Sequence, residues 1–149
     1  MFRGTNELAI DDKGRIMLPV KFREALYKRE ESLLILTISL DKCLVAYPTA
    51  EWMEKASKIR NRQEVTPFDR DLKRLILGSA NDCPLDKQGR ILVPYTLKTK
   101  TNLEKNVVLV GMDDHFEIWN SERFYGNMQT IMDSPETAEI RAFRQDVGL

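Results

Sequence analysis

Apolar residues come in short alternating or continuous bursts, each closed by a turn or a proline, and this pattern predicts a chain organised around strands. Glu7 to Ile10 alternates into the four-residue turn Asp11-Asp12-Lys13-Gly14, after which Arg15-Ile-Met-Leu18 forms a second strand that Pro19 stops. The two strands read as a hairpin, with Gly14 where such a turn needs a positive φ. Pro19 suits the first position of a helix, and Val20, Phe22, Ala25 and Leu26 follow at partly helical spacing. Leu33 to Leu40 is the longest apolar run. Interrupted by Thr37 and Ser39 and far short of the roughly 20 residues that cross a bilayer, it predicts a buried strand.

Helical spacing takes over between and after the strands. Thr49 is placed to cap a helix with a stripe of Trp52, Ala56 and Ile59; Thr66-Pro67 with Asp69 is a capping-box start for another, which turns Leu72, Leu75 and Ile76 inward and ends near Gly78. The opposite side carries Lys55, Lys58, Arg60, Arg62, Arg70, Lys73 and Arg74, a cluster suited to phosphates. Phe124, Met128, Ile131 and Met132 make a further stripe, and Ser134-Pro135 marks the start of a terminal helix. These helices are expected to bury against their own modules.

Self-comparison then changes the picture. Ile10 to Pro19, IDDKGRIMLP, recurs 75 positions later from Leu85 to Pro94 as LDKQGRILVP. Asp11 matches Asp86, Gly14 matches Gly89, Arg15 matches Arg90, Ile16 matches Ile91 and Pro19 matches Pro94. Downstream, Leu33 to Leu36 answers Val107 to Val110, and Cys43 to Tyr47 answers His115 to Trp119. Each copy reads as strand, turn, strand, short helix, strand, strand; Tyr95 to Lys100 is a weaker helix than its counterpart. The chain divides into a module over 1–54, a helical connector over 55–79, a second module over 80–126 and a C-terminal helical segment over 127–149.

A hydrophobic fraction of 42% with 31% charged residues excludes extended disorder. Net charge is zero, which argues against a uniformly basic coat, but the charge is segregated. Residues 55–74 hold seven Lys/Arg against three acids, residues 87–105 five against one, and residues 112–149 three against eight. Cys43 and Cys83 lack the number and spacing of a disulfide framework or zinc site and read as buried reduced thiols. MFRGTNELAI has neither the basic start nor the apolar segment of a secretory signal, so the expectation is a cytoplasmic protein. Enzyme chemistry finds little material: His115 is the one histidine, and neither a phosphate loop nor a nucleophile elbow is present. Asp113-Asp114-His115 reads as a polar turn between strands rather than a metal site, and no cofactor is expected.

In these residues the chain resembles the MraZ proteins, within the broader AbrB-like group of swapped-hairpin DNA-binding domains. The resemblance rests on MFRG, Leu8 to Arg15 with Pro19, Tyr47-Pro48 with Glu51-Trp52, Arg74 to Gly78, Asp86 to Arg90 with Pro94, Val110-Gly111, Phe116-Glu117 and Trp119. It implies an α+β, mostly β fold of two tandem AbrB-like modules forming a pseudo-twofold, β-barrel-like unit with flanking helices. It implies too a ring-shaped homo-oligomer, commonly an octamer, associated with the nucleoid. Such a ring would bind short direct repeats in double-stranded DNA upstream of its own operon, in the bacterial division and cell-wall cluster.

Arg15 and Arg90 are the strongest candidates for DNA contact, because an arginine beside a glycine turn reaches a phosphate or forks onto guanine O6 and N7. An ion pair with Asp11 or Asp86 is compatible with this, since it would orient the guanidinium. Lys13, Lys87 and Arg3 extend the candidate face as phosphate contacts. The second copy has Gln88 where the first has Lys13, so the halves are expected to touch DNA unequally. An antitoxin-like or assembly module acting through a protein partner is the alternative.

Overall fold

Each repeat folds into the same run of elements. The computed structural model describes residues 1–149. The first repeat supplies β1 (Thr5–Ala9), β2 (Arg15–Met17), α1 (Val20–Lys28), β3 (Leu33–Ile38), β4 (Leu44–Pro48), α2 (Thr49–Asn61) and α3 (Pro67–Gly78). The second supplies β5 (Asn81–Pro84), β6 (Arg90–Leu92), α4 (Tyr95–Lys100), β7 (Asn106–Gly111), β8 (Phe116–Asn120), α5 (Ser121–Asp133) and α6 (Ala138–Val147). None of the helices is long and apolar enough to cross a membrane.

The pairing interlocks the repeats. Six strands form one antiparallel sheet in the order β1-β7-β8-β4-β3-β5, while β2 and β6 make a separate two-stranded ribbon. Thus β1 bonds to β7 of the other repeat, β5 to β3, and β4 to β8. At the sheet centre Leu44 faces Ile118 and Ala46 faces Phe116; in the ribbon Arg15 faces Leu92, Met17 faces Arg90, and Ile16 faces its own equivalent, Ile91. Equivalent residues trade places across both pairs, which gives the two repeats an approximate twofold relation.

Two expectations are corrected by this topology. First, β1 and β2 do not pair with each other as a hairpin. The Asp11 amide donates to the Arg15 carbonyl at 2.9 Å to close the turn, after which β1 runs into the sheet and β2 into the ribbon. Second, the sheet is not a closed barrel. With β1 and β5 at its opposite edges and β2 and β6 diverted into the ribbon, no strand bridges the edges. The result is a mixed α+β fold on an open antiparallel sheet.

The core lies between one face of that sheet and the ribbon with α1 and α4. Ile16, Leu18, Ile91 and Val93 from the ribbon region meet Phe22 and Leu26 of α1, Leu97 of α4, and Leu34, Leu36, Leu44, Leu109, Phe116 and Ile118 of the sheet. Phe2, Phe22 and Phe116 meet at its centre with ring centroids 5.1–5.3 Å apart, joining elements of both repeats. Cys43 and Cys83 are buried reduced thiols, and burial pushes them up to about 12 and about 11.

Helix boundaries show where local signals held and where they slipped. Thr66 and Asp69 form the expected capping box at the start of α3. Pro19 and Pro94 stand one residue earlier than expected, as N-caps of α1 and α4. Pro48 takes that place for α2, and Thr49 is its first residue. The terminal helix is capped by Thr137 rather than opening at Ser134-Pro135. The helical stripes bury unevenly: Ala56 of α2 and Phe124 of α5 are buried as expected, whereas α3 and α6 bury no residue, and Phe68, Leu75, Ile131, Met132, Phe143 and Val147 are exposed.

Candidate nucleic-acid interface

The two aspartate-to-arginine turns adopt one geometry. In the first, Asp11 Oδ1 accepts from the amides of Lys13 (3.0 Å) and Arg15 (2.8 Å), while Oδ2 accepts from Arg15 Nε at 2.7 Å. In the second, Asp86 Oδ1 accepts from Gln88 and Arg90 amides (2.9 Å each) and Oδ2 from Arg90 Nε at 2.8 Å. Gly14 and Gly89 turn the chain at φ 84° and 83°, a conformation in which any L side chain is strained. These bonds hold both carboxyls below the usual carboxylate range. In each turn the arginine amide contributes most, partial desolvation opposes it, and the guanidinium and the neighbouring amide add to the lowering.

The consequence for each arginine is geometric. Its Nε is committed to the aspartate, so the side chain is fixed at half-burial and the terminal NH groups remain without a protein partner. A forked donor held this way fits a phosphate or a guanine edge without first losing its conformational freedom.

Ribbon pairing brings the two turns together. Strand alternation sends Ile16 and Ile91 into the core, both fully buried, and sends Arg15, Met17, Arg90 and Leu92 to the outer face. Arg15 and Arg90 occupy diagonal corners of that face, and both border a depression of about 440 Å³ whose rim includes Asp82, Asp86, Leu92 and Pro94. Each turn is tied to the other repeat: Gly14 O accepts from the Val93 amide (2.9 Å) and Gly89 O from the Leu18 amide (3.1 Å).

The other expected residues scatter more widely. Lys13 and Lys87 are exposed at the two turns and make no ion pair. Arg3 is exposed beside Gly111, at the end of β1 remote from the Asp11 turn, so it is not brought to the ribbon face. The connector cations are largely spoken for: Lys58 pairs with Glu54, Arg62 with Asp69, Lys73 with Glu64 and Arg74 with Asp71. Lys73 also donates to the Arg60 and Arg62 carbonyls at the end of α2, a capping role. Asp113, with φ 71°, turns β7 into β8, and His115 bonds to Asp114 and stacks on Tyr47.

Three residues on or beside the ribbon escaped the sequence reading. Arg23 of α1 donates from Nε to the Leu18 carbonyl at 3.1 Å, lies against Gly89 and has no carboxylate partner. A Cβ at position 89 would stand 2.3 Å from its Cδ. Nothing local announces a contact between residues so far apart in the chain. Met17 and Leu92, 45% and 57% exposed, are the others. The alternation around Ile16 and Ile91 was their available signal.

Comparison with known proteins agrees over nearly the whole chain. The family model described as MraZ protein, antitoxin-like, matches twice, at residues 1–75 and 76–146. A protein named Transcriptional regulator MraZ from Colwellia psychrerythraea is 38% identical over 94% of this chain and 93% of its own length. Proteins of the same name from Thioalkalivibrio sulfidiphilus (37% identical, 100% of both chains) and Shewanella piezotolerans (40% identical, 80% of both) are similar as well.

Proposed function

Because the chain belongs to the MraZ family, we propose that it is a transcription regulator that binds double-stranded DNA through the outer face of the β2–β6 ribbon. The observation that carries this reading is the pair of guanidiniums, Arg15 and Arg90, each held through Nε by an aspartate and each presenting unpaired NH groups on one face. Arginine forks of this kind read guanine in the major groove, which admits a two-stranded ribbon. Lys13, Lys87 and Arg23 add phosphate contacts around them, and Arg3 would act only at a distance.

In this reading residues 1–54 and 80–126 are the two modules, 55–79 the connector and 127–149 the terminal segment. The crossing of β1 and β5 between repeats is taken as the swapped-hairpin arrangement of AbrB-like domains. A neutral chain with one small basic face binds DNA weakly at physiological salt, so affinity comes from repetition. A homo-oligomeric ring, an octamer on the family pattern, would engage successive direct repeats upstream of its own operon in the division and cell-wall cluster, in the nucleoid of the cytoplasm. The apolar residues left exposed on α3 and α6, one helix in a basic region and one in an acidic region, suit a contact between copies.

Gel-shift titration against the DNA upstream of its own coding sequence tests this. The expected result is preference over unrelated DNA, loss of affinity with rising salt, and at least about tenfold weaker binding when the DNA is cut to one repeat. Equal affinity for upstream and unrelated DNA would remove the reading. A second reading, an antitoxin-like module acting on a protein partner, draws on the groove of about 770 Å³ between α5 and α6, lined by Ile131, Met132, Ile140 and Phe143. Absence of any shift would favour it.

A further inference from the structure

Arg15 and Arg90 do not fill the ribbon's outer face; Met17 and Leu92 complete it. By register, Met17 stands opposite Arg90 and Leu92 opposite Arg15, so two cationic and two apolar side chains alternate around one small patch. Both apolar residues follow a fully buried isoleucine, and strand alternation therefore keeps them out of the core. They are 45% and 57% exposed, and neither joins either core cluster. Folding gains little from an apolar residue at either position, yet the duplication places one in both copies.

We propose that Met17 and Leu92 contact thymine methyl groups in the major groove and contribute to sequence preference, an inference that rests on the ribbon face being the DNA-binding face. The flanking guanidiniums argue for this occupant over an apolar protein surface. Docking two half-buried arginines with free NH groups against an apolar partner would strip them of water without compensation. DNA satisfies both halves of the patch at once, with phosphates and guanine edges for the arginines and the thymine C5-methyl for the apolar pair. Phosphate contacts fix where the ribbon sits; the methyl contacts add to the arginine–guanine contacts in discriminating among the bases beneath it.

The experiment uses the full-length protein and two versions of the duplex upstream of its own coding sequence, one with thymine and one with uracil in its place. Uracil differs by the absent methyl, so the wild-type protein should bind that duplex more weakly, by about fourfold for each methyl group removed from beneath the ribbon. Met17→Ala combined with Leu92→Ala should weaken binding to the thymine duplex and abolish the difference between the two, with the melting temperature unchanged because both positions are exposed. Wild-type protein that binds both duplexes equally would overturn the inference, as would a double variant that keeps the full uracil penalty. A parallel titration of Arg15→Ala with Arg90→Ala separates the failures. If those arginine changes leave binding intact, the ribbon face is not the DNA face. If they abolish it while uracil has no effect, the methyl contacts alone are refuted.

Discussion

The two glycine turns share a backbone and differ in their neighbourhood. Corresponding hydrogen bonds around Asp11 and Asp86 agree within 0.1 Å, and the two glycines within 1° in φ. Above Gly89, however, lies Arg23, whereas no atom of Lys98, its counterpart in the second repeat, comes within 4 Å of the equivalent point above Gly14. Only Val93 O and Leu92 Cδ1 approach there, at 3.5 and 3.7 Å. Duplication therefore preserved what shapes and aims the arginine while the surrounding cations diverged. The turn's own bonds are local, and the cations around it are free to change.

The largest effects should fall where the halves are equal. Ile16→Ala and Ile91→Ala each remove a fully buried side chain at the ribbon's centre and should each cost about 3 kcal/mol in denaturant unfolding. Both should keep a single transition, because the repeats share one sheet and one core. Two separated transitions would show the repeats to be independent and break the comparison.

Alanine at the two glycines sharpens it. Gly14→Ala carries the strain of positive φ alone, about 1 kcal/mol. Gly89→Ala carries the same strain and also displaces Arg23 from its bond to Leu18, for about 2 kcal/mol in total. In the Arg23→Ala background the two glycine changes should cost the same. Arg23→Ala alone should cost about 1 kcal/mol through that hydrogen bond, no more than Gly14→Ala, and Lys98→Ala less than about 0.5 kcal/mol.

Acid titration should show the least difference between halves. Asp11 and Asp86 both have lowered folded pKa values, so the stabilisation each turn gains is present above the unfolded carboxylate pKa and is lost as pH falls through the folded value. That window lies below about pH 4, so neutral solution leaves both turns intact. Carboxyl NMR shifts should move together for the two residues, below the range of exposed aspartates. Titration of either one at the ordinary value would mean that the turn's amide and guanidinium bonds to that carboxylate are not formed.

Local features were legible in the sequence. The glycine turns, the capping box at Thr66 and Asp69, the buried thiols and the register of the repeat all follow from short-range chemistry. Strand partners were not, because β1 alternates in the same way whether it bonds to β2 or to β7. Burial of a helical stripe was equally ambiguous: α3 has a strongly one-sided apolar pattern, yet the chain covers it only in part, leaving Leu72 and Ile76 half-buried and Phe68 and Leu75 exposed. The carboxylate partners of Arg62 and Lys73 become neighbours only once α2 and α3 pack and turn, whereas the pairs Lys58–Glu54 and Arg74–Asp71 lie at helical spacing and were legible in the sequence. Arg15 and Arg90 were identifiable singly, but their meeting on one face needed the β2–β6 register, and Arg23 needed the full fold.

The central claim is that two aspartate-held guanidiniums on the ribbon face recognise DNA. Its most direct test is the affinity of Arg15→Ala, Arg90→Ala and the double variant for the upstream duplex and for unrelated DNA at one salt concentration, with circular dichroism to verify folding. Each single change should weaken upstream binding by about tenfold or more, and the double variant, still folded, should no longer prefer that duplex. A folded double variant that binds it as tightly as the wild-type protein would contradict the account.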